Sequence, residues 1–108
     1  MRRRWELPRP KGRLPAIDLT LREFPDKRRE GFIFALDGGL WLHRHTLHGR
    51  KMAHLVSSDR EKLLAWGRRN GMNPRWLQDK PLHDPRTGEL TQAWHWDLIG
   101  DRIPPPTP

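Results

Sequence analysis

Apolar residues occur along this chain in short segments separated by polar residues, and the spacing within most of these segments is that of strands. Residues 17–24 (IDLTLREF), 40–47 (LWLHRHTL) and 90–99 (LTQAWHWDLI) alternate apolar with polar side chains, which is typical of strands with one exposed face. Residues 32–36 (FIFAL) and 52–56 (MAHLV) are short apolar runs with the length of buried strands. The pattern therefore predicts a sheet in the middle of the chain.

One segment has the period of a helix instead. Ser58 stands three residues before Glu61, the spacing of a capping box in which each residue satisfies a free backbone N–H group of the first turn. The apolar residues that follow, from Leu63 onwards, recur on one side at helical spacing, with basic residues mostly on the other. Gly71 can adopt the left-handed conformation that ends a helix, and Asn73 can cap a further short turn.

These elements predict a small α+β domain over residues 16–101, with a mixed sheet of three to five strands and one main helix packed on one face. Residues 1–15 carry six basic side chains and three prolines, so we expect a flexible basic arm there. Residues 102–108 form a proline-rich tail.

The composition restricts both the core and the chemistry. Hydrophobic residues make up 34% of the chain, mean hydropathy is -0.92, and six Trp supply much of the apolar volume. A few large rings must therefore carry most of the burial. Cysteine is absent, which excludes disulfides, thiolate catalysis and zinc sites built on cysteine. Any metal must be held by His and carboxylate side chains.

Neither a membrane span nor a signal peptide is indicated by the sequence, because no apolar stretch is long enough. We therefore expect a cytoplasmic protein. Arg outnumbers Lys by sixteen to five, and Asn and Gln together number four, a profile typical of a GC-rich or thermophilic source.

The net charge of +8 and the pI of about 11.2 predict a partner that carries phosphate, and nucleic acid is the first candidate. In this interpretation basic side chains contact the phosphate backbone while a tryptophan stacks on a base. The alternative is that the charge only keeps the protein in solution. The candidate nucleic-acid-binding residues are Arg2, Arg3, Arg4, Trp5, Arg9, Lys11, Arg13, Arg50, Arg68, Arg69 and Arg75.

Histidines and aspartates at the strand positions suggest a metal or catalytic site. His43 and His45 lie two residues apart, so on a strand both imidazoles point to the same side and can share a metal. A site also forms if the strands meet so that two imidazoles and two carboxylates converge; the cofactor would then be a divalent cation, Zn, Mn or Mg. The candidate metal ligands are His43, His45, His54, His95 and Asp97, and the candidate catalytic residues are His54, His95, Asp97 and Asp37.

Each of these residues also has a purely structural interpretation. A single histidine among apolar residues, as His54 is, is more commonly a core imidazole with a satisfied hydrogen bond. Asp37 precedes two glycines, where aspartate commonly forms a turn. His95 and Asp97 could form an ordinary buried hydrogen bond.

Between residues 36 and 98 the chain carries a series of short motifs, in this order: Leu36-Asp37, Trp41, His48-Gly49-Arg50, His54-Leu55-Val56-Ser57, Leu63-Leu64-Ala65, Gly71, Trp76-Leu77-Gln78 and His95-Trp96-Asp97-Leu98. In these motifs and their order it resembles a family of bacterial and phage proteins called domain of unknown function 4031. It departs from the family in its longer segment at residues 42–47, in the loop after Gln78, in the basic arm and in lacking the usual C-terminal helix. No established activity comes with the family. The resemblance therefore implies positions only: Asp37, His54, Gln78, His95 and Asp97.

Two functions remain from the sequence, with a protein-interaction or structural role ranked third. The first is a small basic protein that binds the nucleic-acid backbone. The second is a metal- or His-dependent phosphoesterase or nuclease that uses the His/Asp residues, with Arg50 or Arg75 neutralising phosphate charge. The sequence leaves the oligomeric state open.

Overall fold

Five strands form one mixed sheet in the computed structural model of this protein, which describes residues 17–106. The strands of the chain are β1 (Leu21–Arg22), β2 (Leu40–Leu47), β3 (Arg50–Ser57), β4 (Gln78–Asp79), β5 (Leu82–His83), β6 (Leu90–Thr91) and β7 (Trp94–Ile99). The main sheet has the order β1-β2-β3-β7-β4, and β5 pairs with β6 in a separate small sheet. Only β1 and β2 are parallel. The predicted α+β class with a small mixed sheet is confirmed.

Two helices, α1 (Arg28–Leu36) and α2 (Arg60–Arg69), pack on opposite faces of this sheet. Leu42 and Leu55 of the sheet lie in the larger core cluster together with Leu63 of α2. Trp41 and Val56, which point the other way, pack with α1. Short 3-10 helices follow at Pro74–Trp76 and Gly100–Arg102. The helix predicted over one face is therefore accompanied by a second helix on the other face.

The prediction of a strand at residues 32–36 is wrong, because these residues belong to α1. Gly31 and Ala35 are four residues apart and are the buried residues of α1, so the helix presents its two smallest side chains to the sheet. A short continuous apolar run has no period that separates a buried strand from a helix. The packing of Gly31 against Trp41 favours the helix, but this contact exists only in the folded protein and cannot be read from the sequence.

Replacing Gly31 by alanine tests this close approach. A Cβ atom at Gly31 would lie 2.2 Å from Cε2 of Trp41, so α1 or the indole must move. We expect Gly31→Ala to lower the free energy of unfolding by about 1–3 kcal/mol, measured by urea denaturation, although alanine is intrinsically the better helix former by about 1 kcal/mol. Glu30→Ala, in the exposed neighbouring position, is the control and should change little. A Gly31→Ala protein at least as stable as the wild type would contradict the packing.

The helix predicted from residue 58 is confirmed as α2, but its cap is different. The side chain of Asp59 accepts the hydrogen bond from the backbone N–H of Lys62, whereas the Ser58 hydroxyl donates to the carbonyl of Leu36. The predicted capping box with Ser58 is therefore wrong, because Ser58 is used to hold the end of α1. The predicted end is confirmed: Gly71 has a φ of +68°, and the backbone N–H of Met72 donates to Gly67.

The outer strands are shorter than predicted. The edge strand expected over residues 17–24 is reduced to β1, and the strand expected over residues 90–99 is divided into β6 and β7. The loop after β4 contains the β5–β6 hairpin, closed by a turn in which the carboxylate of Asp84 accepts from the backbone N–H of Arg86. Gly88 completes this turn with a φ of +78°.

The basic arm predicted at residues 1–15 lies outside the described residues, as do its candidate binding residues Arg2, Arg3, Arg4, Trp5, Arg9, Lys11 and Arg13. Within the predicted tail, Ile103 packs against the larger core cluster. Over residues 17–106, no helix has both the length and the apolar character needed to span a membrane.

Candidate metal centre

The sheet face that carries α1 also carries a group of histidines. In the strand register, His43 of β2 lies opposite His54 of β3, which in turn lies opposite Asp97 of β7. His95 is two residues from Asp97 on the same strand and therefore points to the same side. Side chains from three neighbouring strands are thus brought together where α1 leaves the face open, and they line a cleft of about 540 Å³.

Three of these side chains converge on one point. Oδ1 of Asp97 lies 2.7 Å from Nδ1 of His54 and 3.1 Å from Nε2 of His95. The ligand-capable atoms of the three residues all lie within 4.8 Å of one another. The His95 side chain is 10% exposed, whereas those of His54 and Asp97 are about one-third exposed, so the cluster opens to the cleft. This group of two imidazoles and one carboxylate can hold a metal ion.

The side chains of His54 and Asp97 lie close together without the geometry of a hydrogen bond. Nδ1 of His54 and Oδ1 of Asp97 are both buried, and neither has a partner in hydrogen-bonding geometry despite their separation of 2.7 Å. Buried polar atoms normally have such a partner. A cation between them would satisfy both electron pairs. Ligands of a tetrahedral zinc lie about 3.3 Å apart when each is 2.0–2.1 Å from the metal, so the side chains would separate by less than about 1 Å to accept it.

Gln78 orients the carboxylate from the other side. Its Nε2 donates to Oδ2 of Asp97, and β4 holds Gln78 opposite His95 in the register. This bond occupies Oδ2 and leaves Oδ1 directed at the two imidazoles. Hydrogen bonds of this kind fix the orientation of a metal ligand and increase the affinity for the metal.

Burial favours the neutral form of two of the imidazoles. It lowers the pKa of His95, with His54 and Lys80 adding to the effect and Asp97 opposing it. Burial likewise lowers the pKa of His43, and the positive charge of Arg28 lowers it further. A neutral imidazole has a free electron pair, which is what a metal ligand or a proton acceptor needs.

His43 and His45 belong to the cleft but not to the three-residue cluster. Their rings continue a stack from Trp41: ring centres lie 5.0 Å apart for Trp41 and His43, 5.9 Å for His43 and His45, and 4.5 Å for His45 and His54. Within residues 17–106, the group of ligand atoms close enough to share a metal contains only His54, His95 and Asp97. The prediction that His43 and His45 face one side is confirmed, and their role as metal ligands stays a prediction.

Asp37 lies elsewhere. It caps the C-terminal end of α1, where its Oδ1 accepts from Nη2 of Arg86 at 3.1 Å. Arg86 also binds Asp84, and these bonds lower the pKa of Asp84 and raise that of Arg86. The expected convergence of four residues is therefore correct for three of them. Asp37 instead ties the β5–β6 hairpin to α1.

The predicted nucleic-acid-binding arginines in the described part of the chain do not share one groove. Arg50, Arg68, Arg69 and Arg75 are all exposed, and none forms an ion pair with another residue of 17–106. They line three different depressions: Arg50 beside the proline-rich tail, Arg68 and Arg69 beside Leu19, and Arg75 beside Trp76. Of these four arginines, only Arg75 lines a depression that includes a residue of the three-residue cluster, Asp97.

Sequence reasoning missed several residues near the cluster. Arg28 and Lys80 line the cleft, because α1 and the segment after β4 both cross this face. The sequence pattern predicts no helix around Arg28, so its position at the start of α1 could not be foreseen. Arg102 lies in the segment predicted as a tail, and the only signal for it was its charge.

Comparison with protein families, with curated proteins and with solved structures found no match for this chain. The resemblance noted in the sequence therefore stays a prediction. What bears on function is the geometry of the cleft together with the charge of the chain.

Proposed function

We propose that this protein is a metal-dependent phosphoesterase that hydrolyses a phosphodiester of nucleic acid. The observation that carries the proposal is the convergence of His54, His95 and Asp97 on one point at the floor of an open cleft. Two imidazoles and one carboxylate form a ligand set typical of catalytic metal sites, which use three protein ligands and leave a position open for water.

The ligand set favours zinc or manganese over magnesium. Magnesium prefers oxygen ligands and keeps several waters, whereas imidazole nitrogen suits zinc and its neighbours in the transition series. Two of the three ligands here are nitrogen. A cation held by His54, His95 and Asp97 would supply an acidified water and a positive charge beside the phosphoryl oxygens.

The remaining residues of the cleft have roles in the reaction. The oxygen of water attacks phosphorus, the bond from phosphorus to the leaving oxygen breaks, and a proton passes from the water to a base while the leaving oxygen gains one. His43 lies opposite His54 in the register and burial favours its neutral form, so it can accept the proton. Arg28 and Lys80 line the same cleft and can neutralise the phosphate.

The experiment is metal analysis of the purified protein followed by hydrolysis of an oligonucleotide with added Zn²⁺, Mn²⁺ or Mg²⁺. We expect about one equivalent of bound metal, hydrolysis that EDTA abolishes, and loss of both in His54→Ala. His83→Ala is the control, because His83 is exposed on β5 and outside the cleft. Protein that binds none of the three metals, or His54→Ala that retains full activity, would refute the proposal.

A second candidate is a nucleic-acid-binding protein without catalysis, and the observation in its favour is the net charge of +8. Binding through phosphate contacts weakens steeply as salt rises, because counterions are released. Deleting residues 1–13 should then advance elution from heparin. Salt-sensitive binding with no hydrolysis under any metal would favour this candidate over the phosphoesterase.

A further inference from the structure

A second pocket, of about 420 Å³, adjoins the metal cluster at the outer edge of β7. One edge of β7 pairs with β3 along its whole length, and on the other edge β4 pairs only with Trp94 and His95. In the described part of the chain, this second edge therefore has no strand beside it from Trp96 to Ile99. The 3-10 helices at Pro74–Trp76 and Gly100–Arg102 flank this open edge. The pocket is of a size that holds a small organic ligand.

Its lining combines two free cations with an accessible aromatic ring. Arg75 and Arg102 line the pocket, and neither forms an ion pair with any residue of 17–106. Trp76 is 45% exposed, which is unusual for so large an apolar residue, and the guanidinium carbon of Arg102 lies 4.9 Å from the centre of its ring. An exposed ring beside guanidinium groups suits a ligand with both a planar base and a phosphate.

The pocket and the metal cleft share part of their lining. Gln78 and Asp97 line both, and they are hydrogen-bonded to each other at the boundary. A ligand that extends across this boundary therefore passes directly from the metal ligand Asp97 to the side chains of Arg75 and Trp76. The charge along this path is complementary to a polyanion. The metal would offset the carboxylate of Asp97 on one side, and on the other side Arg75 and Arg102 have no ion-pair partner within residues 17–106.

We propose that this pocket is a nucleotide subsite, which holds the nucleotide next to the phosphodiester at the metal. The inference rests on the proposed function and adds the form of the substrate. Stacking on Trp76 requires a base whose face is free, so the substrate is a single-stranded nucleic acid or a single-stranded end. Arg75 and Arg102 bind the adjoining phosphates.

The test is fluorescence anisotropy with Zn²⁺ or Mn²⁺ present and a labelled single-stranded phosphorothioate oligonucleotide, which resists cleavage. Removing a stacking ring typically weakens single-strand binding by about tenfold or more, so Trp76→Ala should show this loss and Trp76→Phe should keep most of the affinity. Arg102→Gln should weaken binding and reduce the slope of log affinity against log salt by about 0.7. Arg60→Gln is the matched control, since Arg60 is exposed and lies outside the pocket.

Oligonucleotide affinity that is unchanged in both Trp76→Ala and Arg102→Gln overturns the subsite. A loss of affinity in Arg60→Gln equal to that in Arg102→Gln also overturns it, because charge alone would then explain the binding. The two proposals fail separately. Hydrolysis that depends on His54 while Trp76→Ala binds normally overturns the subsite alone. Binding that depends on Trp76 and Arg102 in a protein that hydrolyses nothing supports the subsite and overturns the phosphoesterase.

Discussion

Asp97→Asn is expected to abolish metal binding at the cleft and to reduce phosphodiester hydrolysis by at least about 100-fold, since even the partners that only orient metal ligands typically contribute 10–100-fold to affinity or activity. Asp97 carries the one carboxylate of the cluster, and its Oδ1 lies 2.7 Å from Nδ1 of His54 and 3.1 Å from Nε2 of His95. Asparagine keeps the shape of the side chain but lacks the negative charge. The two imidazoles alone would then have to hold the cation.

Isothermal titration with Zn²⁺ or Mn²⁺ measures the first effect directly, independently of any activity. Asp101→Asn is the matched control, because this substitution makes the same change of charge at an exposed residue of the neighbouring 3-10 helix. Gln78 can still bond to the new amide through its own side chain, so the fold should be kept. Metal binding by Asp97→Asn that equals that of Asp101→Asn would show that the cluster is an ordinary polar network.

The parts of the fold that were predictable are those with a regular period. The alternation along residues 40–47 places Trp41, His43 and His45 on one face, and the structure has them in one stack. The helical spacing after residue 58 likewise predicts the buried side of α2. Period depends on local geometry alone, so a single sequence can show it.

The first helix could not be predicted in the same way. Residues 32–36 are apolar throughout, so they carry no period that separates a helix from a buried strand. The helix packs through the close approach of Gly31 to Trp41, a contact between two elements that the local sequence does not show. The correct capping residue of α2 was missed for a similar reason, since Ser58 is occupied by the carbonyl of Leu36.

The candidate site was predictable as a set of residue types but not as a geometry. Alternation along β7 placed His95 and Asp97 together, yet their meeting with His54 depends on β3 pairing with β7 in one register. Asp37 was grouped with them on the assumption of a strand before it. Because that segment is α1, Asp37 points to Arg86 instead.

Trp96→Ala is expected to lower the free energy of unfolding by about 3–5 kcal/mol, the usual loss for a large buried ring. Trp96 is fully buried between the sheet and α2, its Nε1 donates to the carbonyl of Leu63 at 2.8 Å, and Gly67 packs directly on its ring. The change leaves a cavity and one buried carbonyl without its donor. Small domains have only about 5–15 kcal/mol to lose.

Urea denaturation measures this loss, and Trp76→Ala is the control that removes the same ring from an exposed position. We expect the control to lie within about 0.5 kcal/mol of the wild type, as for most surface substitutions, which also makes its binding defect interpretable as a lost contact. Similar losses in the two variants would contradict the assignment of Trp96 to the core. Trp96 stands between His95 and Asp97 on β7, and its burial on one face of the sheet holds those two side chains towards the cleft on the other. If the cluster binds a metal, Trp96→Ala should therefore weaken that binding as well, although the Trp96 side chain points away from the cluster.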